Sequence, residues 1–166
     1  MADKFVVMFV CTGNTCRSPM AEGALRVLLE KERPGAFEVV SSGIAAAEGF
    51  PATAYAVEAA RIWDADISDH ASRPLTKTLI ERANLILAMS GRHVSEVLRL
   101  VPEAETKTFL LKRFPVPGAV GEEVEDPIGQ TLERYNETFL EIGEYLGKHL
   151  PEIVKRIDEK ICRRWP

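Results

Sequence analysis

The chain has 166 residues, of which 46% are hydrophobic and 28% are charged, and its formal net charge is −4. This length and composition are typical of a soluble globular protein, so we expect a single domain over residues 1–166. The negative net charge disfavours general nucleic-acid binding, and no stretch approaches the roughly 18 consecutive apolar residues of a membrane-spanning helix. Because Met1–Lys4 leads straight into an apolar run, we expect no signal peptide, no nucleic-acid or membrane partner and a cytoplasmic location.

The first half of the chain alternates strand-like and helix-like patterns. Phe5 to Val10 is a continuous apolar run that fits a parallel strand buried on both faces. Pro19 favours the first turn of a helix that we expect to end near Arg33. Phe37 to Val40 predicts the second strand, and a helix of roughly ten residues is predicted from Pro51 onwards.

The second half continues the same alternation. Four elements are predicted in chain order: a helix over Leu75–Ala83, a strand over Asn84–Met89, a helix over Gly91–Leu100 and a strand over Lys107–Leu111. A long helical region follows from Thr131 to Arg164, in which Pro151 indicates a kink or a break, so we expect a C-terminal tail over about 151–166. The alternation predicts an α/β fold, namely a four-stranded parallel open sheet with helices on both faces.

The turn between the first strand and the first helix carries the strongest chemical signal. Five residues separate the Cys11 thiol from the Arg17 guanidinium. The backbone N–H groups of residues 12–17 can surround a tetrahedral anion, and the helix that follows adds its positive N-terminal end. Gly13 and Asn14 tolerate the positive φ that such a turn needs. The predicted phosphate-binding residues are Thr12, Gly13, Asn14, Thr15, Cys16, Arg17 and Ser18.

The same positive field acts on the thiol of Cys11. A helix N-terminus and a nearby cation lower a cysteine pKa from about 8.5 to roughly 3.5–7.5, so we expect Cys11 to be a thiolate at neutral pH. The hydroxyl of Ser18 is placed to donate a hydrogen bond to the sulfur. The alternative is a buried cysteine that only packs at the end of a strand. The flanking strand and helix, together with the composition of the loop, favour a nucleophile.

The stretch from Cys11 to Glu22 resembles the active-site loop of the low-molecular-weight protein tyrosine phosphatase family. It is most similar to the bacterial branch that includes protein arginine phosphatases, and weaker similarity extends to about residue 150. The resemblance implies a phosphatase that uses a cysteinyl-phosphate intermediate, with no metal and no cofactor. The expected partners are phosphorylated protein substrates.

The resemblance also implies further site residues. Asp126, in the pair Asp126-Pro127, is the expected proton donor to the leaving group, and the alternative is an acid that caps the long helix. Ser42 is the expected support beneath the loop, in contact with Asn14; the alternative is a solvated turn serine. His70 is an expected structural neighbour of the site, and the alternative is a surface histidine.

The chain has three cysteines, an odd number that argues against a framework of structural disulfides. Cys16 lies on the same small loop as Cys11. It is therefore a candidate resolving thiol if Cys11 is oxidised to a sulfenic acid. The alternative, which the sequence leaves equally open, is a small buried residue that packs beneath the loop.

Two positions bear on the leaving group. Thr15 places a hydroxyl in the loop where tyrosine-specific members of the family have an aliphatic residue, and Ile128-Gly129 offers no aromatic ring to stack on a phenol. We therefore favour phosphoarginine over phosphotyrosine as the substrate. An arsenate reductase would need more cysteines than Cys162, and a non-catalytic binding module would be expected to lack Cys11 or Asp126. A nucleotide site is excluded because no G-x-x-x-x-G-K-[ST] motif occurs.

Overall fold

A computed structural model describes residues 3–163 and contains one four-stranded sheet. The strands are β1 (Phe5–Cys11), β2 (Phe37–Gly43), β3 (Leu85–Ala88) and β4 (Thr108–Leu110). They lie in the order β2-β1-β3-β4, and each neighbouring pair is parallel. The predicted four-stranded parallel open sheet is therefore confirmed. In such sheets the carboxyl ends of the strands form the usual place for a ligand.

Five α-helices connect and follow the strands. They are α1 (Arg17–Glu32), α2 (Ala54–Ala60), α3 (Lys77–Arg82), α4 (Gly91–Leu100) and α5 (Leu132–Cys162). Short 3-10 helices span Arg61–Trp63 and Pro102–Lys107. The hydroxyls of Thr53, Thr76 and Thr131 accept hydrogen bonds from first-turn N–H groups of α2, α3 and α5 respectively, which explains where these helices begin.

The central strand β1 contributes to two hydrophobic cores because its side chains alternate between the faces of the sheet. Phe5, Val7 and Phe9 pack in the core formed with α1, α2 and α5. Val6 and Met8, with Val10, pack in the core formed with α3 and α4. Helices thus cover both faces, as predicted.

The C-terminal region differs from the prediction. Helix α5 runs through Pro151 without ending, so residues 151–162 are helical and do not form a tail. Ile153 and Ile157 are fully buried in the first core. We attribute the continuity to this burial, which outweighs the backbone hydrogen bond that a proline removes from a helix. Residues 164–166 of the predicted tail lie outside the described residues.

Strand β2 is longer than predicted and reaches beneath the turn that follows β1. It continues past Val40 to Gly43, which pairs with Cys11. A Cβ atom on residue 43 would collide with the carbonyl oxygen of Thr12, so only glycine permits this approach. Within residues 3–163, none of the helices is both long and apolar enough to span a membrane.

Candidate active site

The turn from β1 into α1 is held in one conformation by backbone and side-chain contacts. Asn14 has φ = 57°, in the left-handed region that asparagine tolerates better than most residues. Helix α1 begins at Arg17, and no side chain of the described residues caps its N-terminus. The positive end of the helix therefore faces the turn, as an anion-binding loop requires.

The sulfur of Cys11 lies inside this turn, where its residue is only 2% exposed. The backbone N–H of Asn14 donates a hydrogen bond to the sulfur at 3.3 Å, and the hydroxyl of Ser18 lies 2.8 Å from it. The Ser18 contact is the one that the sequence predicts for a stabilised thiolate, and the Asn14 contact is an addition to it.

The pKa of Cys11 differs from the expectation. Burial raises the pKa of this thiol, whereas the hydrogen bonds from Ser18 and Asn14 and the positive charge of Arg17 act to lower it. Desolvation is the largest of these effects, and it could not be read from the sequence because it depends on packing around the loop. The groups expected to favour the thiolate are nevertheless all in contact with the sulfur or close to it.

Arg17 connects the turn to a distant segment of the chain. Its guanidinium donates to the carbonyl oxygen of Val124 at 3.1 Å and to the carboxylate of Asp126 at 3.2 Å. A longer contact of 3.5 Å reaches the hydroxyl of Thr12. The structure therefore brings Arg17 and Asp126, which are 109 positions apart in sequence, into one ion pair beside Cys11.

Asp126 lies at the mouth of the site, with its side chain 39% exposed. One carboxylate oxygen faces Arg17, and the other accepts a hydrogen bond from the N–H of Ile128 at 3.1 Å. Thr131, five positions later, provides the cap of α5, so Asp126 does not act as that cap. Its carboxylate instead contacts Arg17 and the N–H of Ile128.

A cavity of about 200 Å³ adjoins Asp126. Its lining is predominantly acidic and consists of Lys112, Glu123, Glu125, Asp126, Pro127, Gln130, Arg134, Glu137, Thr138 and Glu141. Lys112 pairs with Glu141, and Arg134 pairs with Glu137, so part of this negative charge is compensated. The lining still holds five carboxylates and only two cations, so the cavity is negative; it adjoins the turn through Asp126, since none of residues 11–18 is part of its lining.

The serine that supports the turn is Ser41, not Ser42. The side-chain amide of Asn14 donates to the hydroxyl of Ser41 at 2.9 Å, whereas the hydroxyl of Ser42 donates to the sulfur of Met8 at 3.5 Å. Successive side chains of β2 point to opposite faces of the sheet, so an error of one position moves the hydroxyl to the other core. The prediction of Ser42 was therefore wrong by one position.

His70 contacts the turn as expected. Its Nε2 lies 2.7 Å from the carbonyl oxygen of Asn14, and because a carbonyl only accepts, the Nε2–H donates. Asn14 is thus bound through its backbone by His70 and through its side chain by Ser41. These contacts stabilise the left-handed conformation at this position.

Cys16 lies beneath the turn with its thiol 3.3 Å from the hydroxyl of Tyr135 and 3.6 Å from that of Thr53. Burial raises the pKa of Tyr135 to about 12. Cys11 and Cys16 are both free thiols. The packing alternative for Cys16 therefore has structural support, and its redox alternative stays a prediction.

Thr15 is partly buried, and its carbonyl oxygen accepts from the N–H of Thr53 at 2.9 Å. Its hydroxyl lies 3.8 Å from the sulfur of Cys16. Gly13 is exposed at the outer edge of the turn. The seven predicted phosphate-binding residues thus form one continuous turn.

The sequence analysis missed His93, which is almost fully buried behind the turn. Its Nε2 lies 2.9 Å from the hydroxyl of Thr12, and its Nδ1 lies 3.0 Å from that of Ser90. Burial lowers the pKa of His93 to about 4, with smaller contributions from the charges of Arg17 and Arg92. A histidine in the first turn of α4, just after the central strand β3, was the available signal.

Comparisons with known proteins agree with this geometry. A sequence profile described as "Low molecular weight phosphotyrosine protein phosphatase" matches residues 6–161. The chain belongs to this family.

Its relatives include proteins with two different names. A protein-arginine-phosphatase of Bacillus subtilis is 38% identical over 150 residues, which cover 90% of this chain and 97% of the relative. The probable low molecular weight protein-tyrosine-phosphatase EpsP of Ralstonia nicotianae is 35% identical over 147 residues, covering 89% and 94%.

A solved structure of the YwlE arginine phosphatase superposes with a TM-score of 0.80 at 34% identity, covering 93% of this chain and 96% of that one. It is a mutant with serine in place of a cysteine and with a phosphorylated active-site serine.

Proposed function

We propose that this protein is a metal-independent phosphoprotein phosphatase that removes phosphate from phosphoarginine through a cysteinyl-phosphate intermediate. One observation carries the proposal: Arg17 joins the turn that holds the Cys11 sulfur to the carboxylate of Asp126. A nucleophile, a phosphate-binding cation and a proton donor are thus assembled from two distant parts of the chain. The phosphorylated serine in the YwlE mutant supports phosphoryl transfer to the corresponding kind of site.

In the first step the sulfur of Cys11 attacks phosphorus as the thiolate. The S–P bond forms, the bond from phosphorus to the leaving nitrogen breaks, and that nitrogen takes a proton from Asp126. The backbone N–H groups of the turn and the guanidinium of Arg17 stabilise the charge on the three equatorial oxygens. The hydrogen bond from Ser18 stabilises the sulfur as it attacks and again as it leaves.

In the second step water hydrolyses the phosphocysteine. Asp126, now a carboxylate, takes a proton from the attacking water, the O–P bond forms and the S–P bond breaks. Inorganic phosphate is released and the thiolate of Cys11 is restored. The exposure of Asp126 at the mouth of the site leaves room for this water.

Substrate binding has to exchange the partners of Arg17. The guanidinium contacts Asp126 at 3.2 Å in the structure, and a phosphoryl group would compete with that carboxylate for the same N–H donors. We expect the phosphate to displace Asp126 from Arg17, which frees the carboxyl group to face the leaving atom. The ion pair therefore keeps the acid close to the turn before the substrate arrives.

Three features support phosphoarginine as the substrate. Thr15 places a polar side chain in the turn, Gly129 offers no ring beside Asp126, and the acidic cavity complements a cationic guanidinium. Two relatives named protein-arginine-phosphatase, from Bacillus subtilis and Geobacillus stearothermophilus, are 38% and 42% identical to the chain.

A protein-tyrosine phosphatase is the second candidate, because the EpsP relative and the family description carry that name. Ile128, whose N–H donates to Asp126, has an exposed apolar side chain that is available for contact with a phenol. An arsenate reductase has less support. Cys162 is the last residue of α5. Two positions before it, Lys160 donates to the carbonyl oxygen of Lys4, just before β1, so Cys162 lies near the opposite end of β1 from Cys11.

A cytoplasmic location is part of the proposal. The mechanism needs Cys11 as a free thiol, and Cys16 lies on the same turn, where an oxidising compartment would favour their oxidation. A reducing compartment is therefore the setting in which this site can operate.

The deciding experiment compares a phosphoarginine protein with a phosphotyrosine protein at matched concentrations. We expect kcat/KM to be at least about tenfold higher for phosphoarginine, a difference of about 1.4 kcal/mol in transition-state stabilisation. Equal or reversed preference would replace the arginine assignment with the tyrosine one. Loss of both activities in a folded protein would reject a phosphatase altogether.

A further inference from the structure

A chain of buried and partly buried hydrogen bonds runs from the sulfur of Cys11 to the carboxylate of Glu22 on α1. The hydroxyl of Ser18 lies 2.8 Å from the sulfur, and the side-chain amide of Asn14 donates to Ser18 at 2.8 Å and to Ser41 at 2.9 Å. Ser41 in turn donates to Glu22 at 2.6 Å. Among the described contacts Glu22 makes none with the sulfur, so it acts on Cys11 either through this relay or through the field of its charge.

Two fixed groups, the backbone N–H of Arg73 and the carboxylate of Glu22, determine which atoms donate in the relay. The backbone N–H of Arg73 donates to the Asn14 side chain at 2.9 Å, so the atom facing Arg73 is the carbonyl oxygen and the NH₂ group faces the two serines. Glu22 is ion-paired with Arg26, and an ionised carboxylate only accepts. Ser41 must therefore donate to Glu22.

The direction of the Ser18 hydroxyl is the last one to assign. It accepts a hydrogen bond from Asn14, and its single hydrogen has the sulfur of Cys11 as its only acceptor among the described contacts. A hydroxyl that donates to sulfur stabilises the thiolate and not the thiol. We propose that Glu22 is a positioning residue that, together with the N–H of Arg73, fixes the direction of this relay, so that Ser18 donates to Cys11 and favours its thiolate.

The reverse arrangement shows what Glu22 prevents. If the Asn14 side chain turned over, its oxygen would accept from both serines, and Ser18 would then accept from the S–H of a protonated Cys11. In that state Ser41 would have no hydrogen left to donate to Glu22. The NH₂ group of Asn14 would also face the backbone N–H of Arg73, so that two donors would meet with no acceptor between them. Glu22 and the Arg73 N–H thus both select the direction that suits a nucleophile.

This inference deepens the proposed function, since it assigns the residue that prepares its nucleophile. It also predicts a sign opposite to that of simple electrostatics. Removing a nearby negative charge lowers the pKa of a thiol by the Coulomb effect alone. Removing the Glu22 carboxylate, which accepts from Ser41 and so directs Ser18 through the relay, raises the pKa of the thiol. The pKa of Cys11 in a Glu22 variant therefore separates the two effects.

The test measures the alkylation of Cys11 by iodoacetamide as a function of pH, with mass spectrometry to separate adducts on Cys11 and Cys16. A Cys162→Ser background removes the exposed thiol. For Glu22→Ala we expect the apparent pKa of Cys11 to rise by about one unit, with alkylation below that pKa about tenfold slower. Glu22→Gln keeps an acceptor oxygen and should show a smaller rise.

Two controls make the result specific. Glu30→Ala removes an exposed carboxylate from the same helix without touching the relay, and it should leave the profile unchanged. In a Ser18→Ala background, Glu22→Ala should cause no further change, because the relay is already cut at the sulfur. An effect of equal size in both backgrounds would overturn the proposal, since it would show that Glu22 acts by supporting the fold.

An unchanged or lowered pKa in folded Glu22→Ala and Glu22→Gln proteins would also overturn it. If Glu22→Ala does not fold, Ser41→Ala breaks the same relay one step earlier and is expected to raise the pKa in the same way. Alkylation needs no substrate, so the relay is tested independently of phosphatase activity. A protein that shows the coupling but hydrolyses no phosphoprotein would reject the proposed function alone.

Discussion

The turn that we propose to bind phosphate (residues 11–18) and the late segment that carries Asp126 (residues 112–131) differ sharply in how they are held. In the turn, Asn14 and Ser18 are fully buried, and their polar side-chain atoms have partners. In the late segment, Val120 is 81% exposed and Asp126 is accessible at its tip. The turn is thus held by buried contacts, whereas most of the late segment is exposed. We infer that the turn sets the chemistry and the late segment contributes most to the choice of leaving group.

The late segment is nevertheless tied to the site at two points. The N–H of Val124 donates to the carbonyl oxygen of Met89 at the end of β3, and its carbonyl accepts from Arg17. The carboxylate of Glu123 accepts from the N–H of Gly91 at 2.9 Å. These contacts place Asp126 within reach of the turn while leaving the residues after it exposed.

The largest effect is expected from Cys11→Ser, which tests whether the turn alone defines the chemistry. Serine is a much poorer nucleophile than a thiolate at neutral pH, so turnover should fall below detection. The N–H groups and Arg17 remain, so phosphate analogues should still bind, which calorimetry can measure. Cys162→Ser is the matched control and should keep full activity, because Cys162 is exposed at the end of α5. Retained hydrolysis in the Cys11 variant would exclude the covalent route.

The next effect concerns the tip of the late segment. Asp126→Asn removes the proposed proton donor and should lower kcat by about a hundredfold or more for substrates with poor leaving groups, and less for activated ones. It also removes the anion that competes for Arg17, so inorganic phosphate should inhibit several-fold more strongly. Kinetics over a series of leaving groups, with phosphate inhibition constants, test both parts.

Glu125→Gln is the control for charge. Glu125 is adjacent to Asp126 and highly exposed, and its side chain pairs with Arg134 at 3.8 Å and not with Arg17. This variant should change neither the leaving-group dependence nor phosphate inhibition. Equal slowing across all leaving groups in Asp126→Asn would show that Asp126 is not the acid.

The turn could be predicted from the sequence because its chemistry is local. Eight consecutive residues carry the thiol, the guanidinium and the hydroxyl that contacts the sulfur, so no tertiary information was needed to bring them together. The pattern of strands and helices was predictable for the same reason. Asp126 was predicted only through the family resemblance, since its approach to Arg17 depends on how a long connection returns to the sheet.

Other features depend on packing and were missed or misassigned. The turn is supported by Ser41 and not by the predicted Ser42, because the side-chain register of an edge strand decides which hydroxyl faces the turn. Helix α5 passed through Pro151 because burial of the residues beyond it outweighs one lost hydrogen bond. The position of His93 just after β3 was a signal, but its contact with Thr12, 81 positions away, depends on how α4 packs beside the turn.

His93→Gln tests whether the rigidity of the turn depends on support from behind it. The pKa of His93 is about 4 in the folded protein and about 6.5 in an unfolded chain, so only the unfolded chain takes up the proton between these values. The wild type therefore loses stability from this residue as the pH falls from 6.5 to 4, by at most about 1.4 kcal/mol per pH unit.

The His93→Gln variant has no imidazole at this position and therefore lacks this pH-dependent loss of stability. We expect His93→Gln to be less stable than the wild type at pH 7.5, because it loses the contacts to Thr12 and Ser90. The difference between the two proteins should shrink as the pH is lowered to 4.5. Urea unfolding at three pH values measures it, and other titrating groups cancel in the difference. A constant difference would show that His93 is not held neutral.

The smallest expected effect concerns Thr15, the one part of the turn to which we assign a choice between leaving groups. Thr15→Val removes the hydroxyl with little change of shape, and Thr15→Ser keeps the hydroxyl and removes the methyl group. If the hydroxyl disfavours an apolar phenol beside the turn, Thr15→Val should shift the ratio of phosphotyrosine to phosphoarginine kcat/KM upwards several-fold, and Thr15→Ser should not. The bulkier Thr15→Ile should shift it in the same direction. If all three variants keep the wild-type ratio, the late segment alone discriminates between the two leaving groups, and the turn contributes only to the chemistry. If Thr15→Ser shifts the ratio as much as Thr15→Val, the shape of the side chain selects the substrate and its hydroxyl does not.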